Sequence, residues 1–459
     1  MKPQIDNRKD FTRRMFSIAL PVVFQGLLTN SLSFVDTLMI GQLGEEAIAA
    51  VGLANQMFFL ISLLFFGISS GSSIFLSQFW GARNEKSIKA VIGLALTVAC
   101  IGASFFALAS FFIPTQLMHI FTYETIVVSY GVTYLKIVAI SYVFTAISQV
   151  LSTALRVIGH ARIPLGVALL SLSLNAAGNY LLIFGVGPFP ELGVAGAAIA
   201  TAVSRFAEVA LLLYITYKKH PVLAIREKSS FQWDKAFLRL VIPTSLPVIL
   251  NEMFWALGMV TYKIAFSRIG ISALAAVNVN ESIANLFFVA MMGVSNATLI
   301  MIGIKIGEGR TDLARLYAKR FILIALGTGI GAGVLQALMA PWFANLFNIS
   351  DEVRSMAVYC LLVNAMLLPL KSINMAVIVG ILRAGGDTRF SMFAEMFGVW
   401  AIGVPLAFFG VLVLDLNIWQ VYLLLGMEEL TKMMISMVRV QRGKWITDLT
   451  AVHSPTKRE

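Results

Sequence analysis

Long apolar stretches fill most of this chain, and its polar residues collect in short connections between them. A helix needs about 20 apolar residues to cross ~30 Å of hydrocarbon. Runs of that length lie near 15–40, 50–79, 90–113, 127–155, 163–185, 194–217, 238–266, 273–304, 317–341, 355–382, 390–414 and 418–438. The pattern predicts an all-α membrane protein of about twelve spans, six in each half, with boundaries good to several residues.

The second half repeats the first. Leu20-Pro21 reads again at Leu246-Pro247, a shift of 226 positions (247 − 21), and the same shift pairs Gly44 with Gly270, Gly67 with Gly293 and Gly81 with Gly307. A later echo pairs Leu155-Arg156 with Leu382-Arg383. The expected organisation is an N-lobe over 1–217 (spans 1–6), a polar inter-lobe linker over 218–237, and a C-lobe over 238–459 (spans 7–12 and a tail). In a chain this apolar, a duplicated fold is the architecture of a secondary transporter, with the translocated species held between the repeats.

Composition agrees: 58% hydrophobic and 13% charged residues depart from the ~45–50% apolar content of soluble domains. The net charge of +11 is spread over every second connection, from Arg8, Lys9, Arg13 and Arg14 through Arg83/Lys86/Lys89 and Lys218/Lys219 to Arg439/Arg442/Lys444. By the positive-inside rule those connections and both termini are cytoplasmic. Scattered over short loops, the basic residues form no nucleic-acid surface. The polar stretch Met1–Asp10 is no signal peptide. Cys100 and Cys360 fall inside spans, which suggests neither a disulfide framework nor a metal cluster, and the four His lie in loops, at interfaces or in the tail. Without a GxxxxGK[ST] motif, ATP on this chain does not drive transport.

Intramembrane charges are expensive, at least ~2.5–3.5 kcal/mol for a carboxylate, and so point to function. Asp36 lies in span 1, and its repeat counterpart is the uncharged Tyr262, so the fold does not demand the charge. Asn175 and Asn179, one turn apart in span 5, and Thr201 in span 6 offer hard oxygens suited to a small cation, while Asp36 could equally take a proton. Snorkelling or capping by Asp36, and a plain packing network for the Asn pair, are the structural alternatives. In span 7, Glu252 is the C-lobe candidate, free to pair with Lys371 of span 10, bind a substrate cation or carry a proton. Asn278, Asn280 and Glu281 form a polar patch in span 8; Lys136 and Glu395 are further cleft candidates. Arg205 and Glu208 read as a pair, Lys263 as a snorkelling end residue, and Glu428, Glu429 and Lys432 as mutually paired packing. Pro21 in span 1, and Pro243 and Pro247 in span 7, remove backbone hydrogen bonds and mark kinks, static or hinged.

The chain resembles the multidrug and toxic compound extrusion (MATE) family, bacterial-type, over nearly its whole length. The resemblance rests on Phe34-Val-Asp36-Thr-Leu-Met-Ile-Gly41, Gln78-Phe-Trp80-Gly81-Ala82, Leu155-Arg156-x-x-Gly159, Asn179 to Gly185, Leu192 to Thr201, and Leu382-Arg-Ala-Gly-Gly-Asp387-Thr388-Arg389, in that order. It implies two pseudo-twofold-related six-helix bundles around a V-shaped cleft in the inner membrane, acting as a monomer. The implied activity is antiport: export of amphipathic, often cationic compounds in exchange for Na⁺ or H⁺, with no cofactor and no enzymatic step. The family's N-lobe cation site maps onto Asp36, Asn175, Asn179 and Thr201. One branch of the family carries a Glu at the place of Glu252 together with an Asp in span 10; here no acid stands between Arg354 and Asp387, so a two-carboxylate C-lobe site is not expected. The rival reading is a lipid-linked precursor flippase of related superfold, which calls for several Arg or Lys facing the cleft, where few spans carry buried cations. No HExxH, GxSxG in context or catalytic Asp pair supports an intramembrane enzyme.

Overall fold

The computed structural model describes residues 8–347 and 349–450; Lys2, His453 and the end of the predicted tail lie outside these. Spans 1–3 are α1 (Arg8–Gly41), α2 (Glu45–Gly81) and α3 (Glu85–Phe112), followed by a one-turn helix, α4 (Pro114–His119). Spans 4–6 are α5 (Thr125–Val157), α6 (Arg162–Phe184) and α7 (Gly193–Lys219), and spans 7–9 are α8 (Lys235–Ser267), α9 (Ile271–Gly307) and α10 (Thr311–Asn345). Span 10 is α11 (Asp351–Asn374) continued by a π-helical stretch, Met375–Leu382. Span 11 is α12 (Thr388–Met396), a second π-helical stretch, Phe397–Gly403, and α13 (Val404–Leu412); span 12 is α14 (Ile418–Gln441). Among the described residues, 11 of these helical segments are long and apolar enough to cross a membrane. The twelfth, α14, carries Glu428, Glu429, Lys432 and Arg439 and is correspondingly more polar. Helix starts follow local chemistry: Asn84 accepts from the Ser87 amide before α3, and before α14 the Asn417 amide donates to the Gln420 side chain at 2.9 Å.

The chain divides into two compact units whose borders cut through α1 and α2. One comprises Met1–Val23, Ser77–Arg83 and Ala236–Glu459; the other comprises Phe24–Leu76 and Asn84–Lys235. In the first unit, Phe11, Met15 and Ile18 form a buried stripe on the beginning of α1. Phe11 packs edge-on to Tyr317 at 4.8 Å and against Phe321 at 5.1 Å, with the Arg320 guanidinium over its ring. Its core continues through Tyr262, Phe266, Val277, Cys360 and Val399.

Within the same unit the last turns of α2 cross α9 with no space for side chains. A Cβ on Gly81 would stand 2.2 Å from the Ile304 carbonyl oxygen, and one on Gly307 would stand 1.8 Å from that of Gln78. Backbone replaces side chain at this crossing. The Gln78 side chain turns instead to the C-terminal segment: its amide donates to the carbonyls of Ala384 (2.9 Å) and Thr447 (3.2 Å), and its oxygen accepts from the Leu449 amide (2.9 Å). Trp445 is buried beside Gly385, and a single antiparallel bridge joins Gly386 to Ile446.

The second unit holds α3–α7 with the remainders of α1 and α2. The polar stretch after α7, read from sequence as an inter-lobe linker, lies against this unit: its 3₁₀ turn, Lys228–Phe231, packs on α3, and the Trp233 indole donates to the Ala90 carbonyl at 3.1 Å. Leu223 and Ala224 are buried beneath it.

Candidate functional site

In the second unit, three helices bring together the four predicted residues of the N-terminal half. From α1, the Asp36 carboxylate accepts from Asn179 Nδ2 of α6 at 2.7 Å. One turn earlier on α6, Asn175 meets Thr201 of α7, its side-chain amide and the hydroxyl 3.3 Å apart. Both amides are buried, as the one-face spacing of 175 and 179 required. Along α1 the approach to Asp36 is lined with hydroxyls that close on their own helix, Thr29 on the Gln25 carbonyl, Ser33 on Thr29 and Thr37 on Ser33, each within 3.0 Å. A polar face satisfied internally can stand in an apolar surrounding.

The Asn175 amide faces the Asp36 carboxylate. With its nitrogen turned toward α1, it donates to both carboxylate oxygens at 3.0 and 3.1 Å and its oxygen accepts from Thr201. That arrangement suits an ionised Asp36 with no cation. Asn179 Oδ1 is buried without a hydrogen-bond partner, leaving a spare hard oxygen beside the carboxylate. One carboxylate with amide and hydroxyl oxygens around it can hold one proton or one monovalent cation.

On α7 the expected Arg205–Glu208 pair forms at 2.9 Å, and Glu208 also accepts from Ser171. Lys136 of α5 is exposed.

In the first unit, of the three roles left open for Glu252, pairing with Lys371 does not occur. Glu252 is bound by Arg383, Nη2 to Oε1 at 2.8 Å, with both side chains buried. Lys371 lies about three turns back along the same helical span and donates instead to Asn364 Oδ1 at 2.6 Å, in a chain that continues to Gln336. The sequence showed Arg383 as one of the basic loop residues; its long side chain reaching back into the bundle left no trace in spacing. Lys263 likewise does not simply snorkel: its ammonium pairs with Glu281 at 2.7 Å. Asn278 is exposed and Asn280 buried, so the patch anticipated in span 8 is split between two faces of α9.

A larger cluster surrounds Lys432. Its ammonium lies 2.8 Å from Glu428, 3.2 Å from Glu429 and 3.4 Å from Glu395. The pairing within α14 was anticipated; Glu395 reaches it from α12. Tyr262 donates to Glu428 Oε2 at 2.6 Å, and Asn374 donates to Glu429 Oε2 at 2.7 Å. Sequence reasoning missed Tyr262 and Asn374, although the position of Tyr262 as repeat counterpart of Asp36 was the available clue. Both π-helical stretches border the cluster, one beginning after Asn374 and the other just after Glu395, and π-helical insertions recur at functional sites. Glycines in the second make the room: a Cβ on Gly398 would strike Lys432 at 2.4 Å, and one on Gly403 would strike the Tyr262 hydroxyl at 1.9 Å. Three carboxylates meet the one ammonium in a buried place, with Lys371 within electrostatic reach of Glu429.

Comparison with known proteins fits this two-part arrangement. The MatE family profile matches twice, over residues 21–181 and 247–409, at the offset of the internal repeat. The uncharacterized transporter YisQ of Bacillus subtilis is 29% identical over 410 residues, 88% of each chain. The probable multidrug resistance protein NorM of Thermotoga maritima is 23% identical over 448 residues, covering 95% of this chain and 93% of its own. In fold, the crystal structure of the Vibrio cholerae MATE transporter VcmN, solved as a mutant, superposes with a TM-score of 0.87 at 18% identity, over 96% of this chain and 99% of that one. Matched in both halves, the chain belongs to the MatE family.

Proposed function

We propose that this transporter is an antiporter that exports amphipathic, cationic compounds by alternating access, driven by inward movement of Na⁺ or H⁺ through the Asp36 site. That the chain is a multi-pass membrane transporter and not an enzyme follows from its family. The observation supporting the coupling role is the meeting of Asp36 with Asn175, Asn179 and Thr201 on three helices. The multidrug resistance relatives support the substrate class.

In this reading the ion and the substrate compete through the conformation of α1. Neutralising Asp36 weakens the hydrogen bonds it accepts from Asn175 and Asn179 and so alters the pull of α6 on α1. Pro21 is the hinge: it lies inside α1 two residues before the chain passes from one compact unit to the other. The two six-helix lobes, 1–217 and 238–459, give the site access to one side of the membrane at a time, with the basic connections and both termini on the cytoplasmic side. The Glu395–Glu428–Glu429 cluster around Lys432 is the second charged centre. It takes over the role first sought for Glu252, which Arg383 already neutralises.

Proteoliposomes given a Na⁺ gradient alone or a pH gradient alone test the reading, with efflux of a fluorescent organic cation as readout. Uphill efflux under one of the two supports coupling and identifies the ion. Efflux that ignores both gradients, or transport of a lipid-linked pyrophosphate instead, refutes it.

A further inference from the structure

An open groove of about 410 Å³ lies between α12 and the end of α14, lined by Phe390, Met434, Ile435, Val438, Arg439, Arg442 and Lys444. Its two ends differ in chemistry. At the basic end, Arg442 and Lys444 are exposed and form no ion pair among the described residues. Between them the chain turns at Gly443, where Arg315 of α10 comes within 3.3 Å of the position a Cβ would take, adding a third exposed cation. Arg439 is already occupied: it grips Asp387 through Nε at 2.7 Å and stacks over Phe390 at 4.8 Å, so it forms the floor without supplying free charge.

From this cationic end two apolar rails run toward the middle of the helices. One is the ladder Phe390–Phe393–Phe397, with ring centroids 6.1 and 5.7 Å apart; Phe393 and Phe397 are exposed. The other is the exposed α14 face of Met427, Met434 and Val438. A soluble anion has no use for the rails, and a neutral lipid has no use for the cations. The combination fits one molecule, with a negative headgroup and hydrocarbon tails, seated where a membrane-spanning helix meets its basic connection.

We propose that this groove is a specific site for an anionic phospholipid, whose phosphate binds Arg442, Lys444 and Arg315 while an acyl chain lies between the phenylalanine ladder and α14. Its occupant also holds the segment that leads into Trp445, and so the C-terminal strap bound by Gln78. The site is distinct from the ion and substrate sites proposed above.

The test uses the full chain, delipidated in a neutral detergent, with thermal unfolding followed against added lipid. Phosphatidylglycerol raises the melting temperature in a saturable way; phosphatidylcholine of the same chains and glycerol 3-phosphate do not. The double substitution Arg442→Gln/Lys444→Gln weakens the phosphatidylglycerol effect roughly 30-fold, as expected for two cations near a lipid surface at about 1 kcal/mol each. Met434→Glu, which leaves the cations intact and charges the rail, weakens it as well. Equal stabilisation by phosphatidylcholine, full stabilisation by glycerol 3-phosphate, or an unchanged response in the Arg442/Lys444 variant overturns the proposal. Should that variant fail to fold, Arg442→Lys with Met434→Glu decides: retained affinity in the first and loss in the second supports the site, and any other result refutes it.

Discussion

Asp36 and Tyr262 occupy the same place in the two repeats, and each is hydrogen-bonded into its own buried polar network: Asp36 accepts from Asn179 at 2.7 Å, and Tyr262 donates to Glu428 at 2.6 Å. Duplication preserved the position and divided the chemistry. The carboxylate comes from α1 in one half and from α14 in the other.

Asp36→Asn is therefore expected to abolish uphill export, by at least tenfold, while the protein still folds and inserts, because an amide replaces the carboxylate with little change of shape. Efflux from proteoliposomes, with thermal unfolding as the control for folding, checks this. Wild-type uphill transport by the variant removes Asp36 from the coupling role.

Asn175→Ala and Thr201→Ala separate the two ions. If Na⁺ drives transport, each removes an oxygen ligand and raises the Na⁺ concentration needed for half-maximal rate several-fold, with a smaller effect on a proton-driven rate. Equal losses under both gradients would show that the residues only pack.

The Arg383–Glu252 pair is buried on both sides, so losing one member strands a charge. Arg383→Ala is expected to cost about 3–5 kcal/mol of stability, and Glu252→Gln combined with Arg383→Met less than Arg383→Ala alone. Lys371→Ala combined with Glu252→Gln should show additive effects, since Lys371 bonds Asn364. A denaturation series over the single and double variants measures both claims; coupling between 252 and 371 would contradict the geometry.

Outside the spans, His220 follows α7, its ring 4.4 Å from that of His160. Burial, then the charges of His160 and Lys219, hold its pKa below the ordinary value. The fold thus disfavours its charged form, and on acidification the unfolded chain takes up the proton first. Stability should hold above about pH 6.5 and fall as pH drops below it toward the folded-state value. Melting temperature against pH for wild type and His220→Gln tests this: the variant should show the shallower decline.

Pro21→Ala restores a backbone donor next to the border between the compact units. Turnover should slow several-fold with melting temperature unchanged or raised. Unchanged turnover would make the proline a static kink.

The spans and the repeat were legible because both are long-range regularities of hydrophobicity, and solvation by lipid permits few alternatives. Asp36, Asn175, Asn179 and Thr201 were legible because a charge or paired amides in an apolar run stand out, and one-turn spacing fixes a shared face. Glu252 was equally visible, but its partner was not. Which of two cations meets it depends on the depth at which α8 and the tenth span are set against each other, and on the reach of an arginine side chain, neither of which periodicity encodes. The π-helical stretches, Met375–Leu382 and Phe397–Gly403, were invisible for a related reason: a wider turn leaves an apolar run unchanged in composition.

The meeting of Gly81 with Ile304 and of Gly307 with Gln78 is reciprocal, since Gly81 and Gly307 are repeat mates and so are Gln78 and Ile304. Two identical subunits touch in this manner across a dyad, so the crossing of α2 and α9 is a homodimer contact carried within one polypeptide. Joined into a single gene product, its two sides became free to diverge. At the position where α9 keeps an isoleucine, α2 has a glutamine that clasps the tail. A homodimer would have had two such tails; a fused chain has one, and symmetry is broken at the residue that holds it.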